Sequence, residues 1–294
     1  MGIESSFQSS PRLQRTLRRR LVRLLVLFVL GYAGITIVLL FLENWFIFRP
    51  ATAREFWEAP AAGVQEVWLT GADGTKLHAW WHPVPDARWV VLYCHGNAGN
   101  VSQWSPAARE WNEHVGASVL LFDYPGYGKS AGRPSEAGCY AAGETAYRWL
   151  VEEQKVPPER ILLHGVSLGG AVALELATRH AHGALVLLCA FTNIPDMAQG
   201  MFPWLPARWL VRTQFDNLAK IATHHGPVFL AHGDADDLVP VDHCRRLFAA
   251  ASAERKECFT ISGGHHNDSA TPAYFAAIRS FLEKLRGCES IATD

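Results

Sequence analysis

In LLHGVSLGGAVALELA (162–177), an apolar run turns through Gly165-Val166-Ser167-Leu168-Gly169 and continues with helical spacing. Glycines two residues either side of Ser167 allow a strained strand-to-helix turn that lifts Oγ clear of a sheet. The plainer reading is a small residue at a glycine-rich corner. A serine hydroxyl attacks a carbonyl carbon only when a base takes its proton as it does so. The chemistry therefore requires a histidine, a carboxylate to orient it, and amide donors for the oxyanion.

Each has a candidate elsewhere in the chain. GGHHND (263–268) supplies His265 and His266, and HGDADDLVP (232–240) supplies Asp234, Asp236 and Asp237. Leu168 follows the serine at a helix start, where its amide can donate to an oxyanion. The backbone N–H of Asn97 in HGNAGN (95–100) is the candidate for the second donor. Each such donor is typically worth about 3 kcal/mol in the transition state.

The elements that must hold these residues follow from periodicity. Apolar, β-rich runs at 64–70, 76–82, 89–94, 118–122, 161–166, 185–190, 228–232 and 257–261 predict strands. Helical spacing predicts helices at 101–114, 136–154, from 168, at 240–251 and at 272–286. Strands alternating with helices imply an α/β fold, a mostly parallel sheet covered on both faces. In such sheets ligands bind outside the carboxyl ends of the strands. Polar, glycine-rich turns follow five of these strands: HGNAGN, DYPGYG, GVSLGG, HGDADD and SGGHHND. The order serine, acid, histidine is that of α/β hydrolases.

We read one domain over 61–287, preceded by a connector at 43–60 and followed by a tail at 288–294. Residues 192–225 interrupt the alternation with a long insertion rich in Trp, Phe, Leu and Pro, expected to form a cap. Its Phe202, Trp204, Leu205, Trp209 and Leu210 could line an acyl groove, or pack into the core.

The stretches HGNAGN, FDYPGYGKSAGRPSE, HGVSLGG, PWLPARWL with FDNLAKI, HGDADDLVP and GGHHND occur in order over most of residues 65–287. In this the chain resembles the α/β-hydrolase superfamily, in the membrane-tethered branch of fungal bud-emergence proteins, animal depalmitoylases and lysophospholipid lipases. The resemblance implies Asp236 as the acid and His266 as the base. It also implies acyl esters or thioesters as substrates. Where this chain has His265 the family more often has a small residue, so both neighbouring histidines stay open, with Asp234 and Asp237 as the other acids.

The N-terminus carries a different signal. Arg12, Arg15, Arg18, Arg19, Arg20 and Arg23 precede LLVLFVLGYAGITIVLLFL (24–42), which contains no charged side chain. Nineteen residues make a helix of about 28 Å, close to the thickness of a bilayer's hydrocarbon core. The run exceeds a usual signal-peptide core, and no polar stripe marks it as a core helix. We expect a single-pass anchor with a cytoplasmic basic end (1–23) and the catalytic domain on the opposite side of the bilayer. Phe41, Trp45, Phe46 and Phe48 would form an aromatic collar at the exit.

A net charge of −1 over 294 residues gives no global field for nucleic acid. The six cysteines include no C-x-x-C pair, and no organic cofactor or metal is required. Gly128-Lys129-Ser130 lacks the earlier glycine of a phosphate loop, so DYPGYGKS reads as a structural turn. His78, His82, His224 and His225 lack ligand spacing. The expectation is a membrane-anchored serine hydrolase acting on acyl ester or thioester substrates beside the lipid bilayer. Two alternatives are an aminopeptidase-like amide hydrolase, using Asp196 or Asp216 for a free amine, and a non-catalytic membrane-tethered binding protein.

Overall fold

The computed structural model describes residues 11–268 and 270–289. Residues 1–10 of the basic N-terminus and 290–294 of the expected tail lie outside the described residues. The chain divides between Glu43 and Asn44 into two compact units.

The first unit is built on α1 (Pro11–Phe41), whose stretch Gln14–Phe41, 28 residues long, has the length and composition to cross a membrane. Leu27, Phe28 and Leu30 are among its exposed side chains. From Leu24 to Phe41 this helix carries no charged side chain on any face, a stretch suited to apolar surroundings rather than water.

The main sheet of the second unit is built from eight strands: β1 (Gln65–Thr70), β2 (Lys76–His82), β3 (Val90–Cys94), β4 (Ser118–Phe122), β5 (Ile161–Val166), β6 (Ala184–Leu188), β7 (Val228–Gly233) and β8 (Lys256–Ile261). They form one sheet in the order β1-β2-β4-β3-β5-β6-β7-β8. Pairing is antiparallel from β1 to β2 and from β2 to β4, and parallel from there to β8. Val90, Leu92 and Cys94 of β3 join one core cluster, while Val91 and Tyr93 join the other. Side chains alternate across a sheet buried on both faces, so its central strands read as unbroken apolar runs.

Between the strands lie α2 (Val101–Val115), α3 (Glu136–Arg148), α4 (Leu168–Arg179), α5 (Ile194–Met201), α6 (Ala207–Leu210), α7 (Asn217–Ile221), α8 (Asp242–Ala250) and α9 (Pro272–Glu289). Trp111 of α2 packs against Phe275 of α9 on one face. On the other face Val172 and Leu176 of α4 pack under α3. The insertion after β6 contributes α5, α6 and α7, all short.

Residues expected only to connect the anchor to the domain are woven into it. Arg49 and Pro50 pair in parallel with Ala98 and Gly99, just after β3. The Ala53 amide donates to the Gly128 carbonyl (2.9 Å), and the Gly128 amide to the Ala51 carbonyl (3.0 Å). Phe48, expected in the exposed collar, is only 2% exposed and packs edge-on against Phe215. Chain entry beside the sheet places that ring under the insertion, so it belongs to the core. Trp45 is exposed.

Candidate active site

Ser167 occupies the turn between β5 and α4 with φ +52° and ψ −117°, a backbone state that a side chain rarely adopts. Backbone contacts hold it there. Its amide donates to the Leu188 carbonyl (2.9 Å), and its carbonyl accepts from Gly170 (2.9 Å). The flanking glycines are required by close approach. A Cβ on Gly165 would overlap the Gly169 carbonyl, and one on Gly169 would overlap the Cys94 carbonyl. The Leu168 amide that follows is among the first-turn donors a helix leaves without an internal acceptor.

The loop after β3 carries Asn97, and the DYPGYGKS turn braces it. The Tyr124 hydroxyl donates to the His95 carbonyl, and the Tyr127 hydroxyl to the Asn97 carbonyl, both at 2.8 Å. The Asn97 side chain in turn accepts from the Arg49 amide (3.0 Å). Asp123, at the end of β4, accepts from the Val101 amide (2.9 Å) and so fixes the start of α2. These contacts hold the loop's carbonyls and side-chain oxygens, which sets the direction of its amides.

The expected acid and base come from the loops after β7 and β8. Asp236 is buried, and its Oδ2 lies 2.7 Å from His266 Nδ1. Its Oδ1 accepts from the amides of Leu238 (3.0 Å) and Val239 (2.8 Å). Burial alone would raise this carboxyl. The Val239 amide and then the His266 ring outweigh it and hold Asp236 below the ordinary carboxylate range, ionised as an orienting group must be. His265 faces away. It is exposed, and its amide donates to Asp268 (2.6 Å). Asp234 accepts from the Gly263 amide (2.6 Å), bracing the loop that presents His266, and Asp237 is exposed.

Two neighbours of this pair carry no sequence signal. His232 Nε2 donates to the Val239 carbonyl (2.7 Å) and lies 3.2 Å from Asp236 Oδ2, adding a second donor beside that oxygen. Cys189, at φ +50° after β6, places its thiol, the Asp236 carboxylate and the His266 ring within 4.8 Å of one another. That trio offers a thiol, a carboxylate and an imidazole of the kind a soft divalent ion takes. Among the described side chains Cys94, Cys139, Cys189, Cys244 and Cys258 are unbridged.

The insertion residues divide. Phe202 and Trp204 meet edge to face, and Phe202 also meets Phe46. Leu205 is buried, Leu210 is partly buried, and Trp209 is 89% exposed. Asp196 is tied up by Arg246 (2.6 Å), Arg208 (3.0 Å) and the Thr192 hydroxyl (3.1 Å). Asp216 caps α7 by accepting from the Ala219 amide (3.1 Å).

Residues 90–219 match the family described as alpha/beta hydrolase fold. The Arabidopsis thaliana alpha/beta hydrolase domain-containing protein WAV2 is 31% identical over 242 residues, covering 75% of this chain and 79% of WAV2. The chain belongs to the α/β-hydrolase family. Schizosaccharomyces pombe protein bem46 is 34% identical to this α/β hydrolase over 206 residues, 67% of this chain and 68% of bem46. Among solved structures, Pyrococcus furiosus esterase Pf2001 superposes with a TM-score of 0.67 at 17% identity, over 82% of this hydrolase and 98% of that chain. This last likeness is one of fold.

Proposed function

We propose that this chain is a membrane-anchored serine hydrolase that cleaves carboxylic ester or thioester bonds of acyl substrates. The observation that carries the reading is the 2.7 Å bond from His266 Nδ1 to buried Asp236, on the sheet edge where Ser167 sits at φ +52°.

In this reading Ser167 Oγ attacks the carbonyl carbon while His266 Nε2 takes its proton. Asp236 keeps Nδ1 protonated, which leaves Nε2 free to accept, and stabilises the imidazolium that forms. The Leu168 and Asn97 amides receive the oxyanion. The imidazolium then protonates the leaving alcohol or thiol. Water, deprotonated by the same ring, hydrolyses the acyl-enzyme and restores Ser167. The esterase named among the structural neighbours supports ester chemistry.

Helix α1 serves as the anchor, with its arginine-rich end in the cytoplasm and the catalytic unit on the other side. Phe202, Trp204, Leu205 and Trp209 of the insertion supply the acyl-binding side of the site. An aminopeptidase would need a carboxylate free to meet an amine, and Asp196 and Asp216 are both engaged. The test is labelling by a fluorescent fluorophosphonate, followed by turnover of ester and thioester series of increasing acyl length. Labelling of the parent and none of Ser167→Ala is expected. A folded parent that stays unlabelled refutes catalysis by Ser167.

A further inference from the structure

At the opposite edge of the sheet, below the N-terminal ends of β6 and β7, two histidine-bearing segments converge. Arg179-His180-Ala181-His182 leaves α4, and His224-His225-Gly226 precedes β7. They line an open surface pocket of about 310 Å³. One strand length, roughly 17 Å, separates this edge from the catalytic edge.

Two ring nitrogens in it are orphaned. The Nε2 atoms of His182 and His224 are buried, and neither has a hydrogen-bond partner. The rings stack with centroids 5.1 Å apart and planes inclined by 25°. A point one Cβ above Gly226 is 3.1 Å from both nitrogens, so they lie at most twice that distance apart. The tautomer of His182 is set, because its Nδ1 meets the His180 carbonyl at 2.9 Å and a carbonyl only accepts. In the neutral ring Nε2 therefore carries the lone pair. Exposed His225 stands on the rim with a third imidazole.

Buried acceptors without donors require an occupant. The lone pair on His182 Nε2 has no proton to offer an anion, and a metal-binding histidine commonly donates its other nitrogen to a backbone carbonyl, as His182 does. We propose that His182 and His224 bind a divalent transition-metal ion of the zinc, copper and nickel class. Metal–nitrogen bonds of about 2.0–2.1 Å require the two rings to turn toward each other over Gly226.

The full-length, tag-free protein in detergent is dialysed against Zn²⁺, and bound metal is counted by mass spectrometry. Co²⁺ is added in parallel as a visible-absorption probe. The parent should retain one equivalent at this pocket. H182Q and H224Q should each weaken that equivalent at least tenfold. G226A keeps both imidazoles but puts a methyl between their nitrogens, and it should do the same. Fluorophosphonate labelling should be unchanged throughout. Circular dichroism identifies any variant that fails to fold, and the folded ones decide. A parent that retains no metal overturns the site in favour of water. Metal retained by the folded variants overturns it in favour of an ion elsewhere, including at Cys189, Asp236 and His266.

Discussion

Replacing Asp236 by asparagine changes one atom, and the structure dictates where that atom goes. Oδ1 accepts from the amides of Leu238 and Val239, so an NH₂ group there would face two N–H donors. The amide oxygen of the variant must take that position. Its NH₂ then occupies the Oδ2 position, 2.7 Å from His266 Nδ1 and 3.2 Å from the His232 nitrogen that donates to Val239. An NH₂ group can only donate, so it selects the His266 tautomer with its proton on Nε2. That nitrogen can no longer accept from Ser167. Loss of the correct tautomer and of the charge costs about 10⁴-fold in kcat, or about 5.4 kcal/mol of barrier. NH₂ facing the His232 N–H adds a loss of folding stability on the order of 1 kcal/mol. The assay is kcat/KM on a chromogenic ester, with fluorophosphonate labelling rate as a second readout and Ser167→Ala as background. A folded Asp236→Asn retaining more than about a tenth of parental kcat would refute this account of the site.

Gly169→Ala drives a methyl into the Cys94 carbonyl; it should lower Tm by at least 5 °C, and a shift under 2 °C would contradict the required close approach. Burial lowers His164 to about 3, and His82 and His224 to about 4. Because the unfolded chain takes up these protons first, their contribution to stability is full above about pH 6.5 and lost as pH falls toward 4. Denaturation midpoints measured across that range should fall steeply, and a flat profile would exclude neutral buried rings. The Cys244 and Cys258 sulfurs lie 3.6 Å apart, and the hydrogen bond from Cys244 lowers the Cys258 thiol. A disulfide oxidant such as diamide should take two electrons and two protons from this pair before any other, giving one bridged peptide by mass spectrometry that Cys258→Ser abolishes.

How much was legible depended on the range of the contacts involved. The strand β3 read correctly because burial on both faces leaves no polar position in VVLYC. The turn at Ser167 was readable because its glycines answer clashes with backbone close in the fold. Preference between His265 and His266 rested on a motif, since both sit in one short loop. Only its docking on β7 turns one ring to Asp236 and the other outward. Nothing local marks Cys189, whose place beside that pair depends on the register of β6 against β7. The strap from Arg49 to Ala53 was read as linker because a two-residue pairing carries no periodicity. His182 and His224 stand 42 positions apart, and only parallel strand ends bring their segments together.

That strap bears on how the enzyme can be cut. A soluble fragment starting at residue 61, after the apparent linker, would remove Phe48 from beneath Phe215 and leave the Asn97 side chain without the Arg49 amide. It would strip a prop from the loop that carries Asn97, and any inactivity would be mistaken for dependence on lipid. A fragment starting at Asn44 discards α1 while keeping every one of these contacts. Any comparison of the chain with and without α1 should use that boundary, because there the catalytic unit loses none of its own contacts.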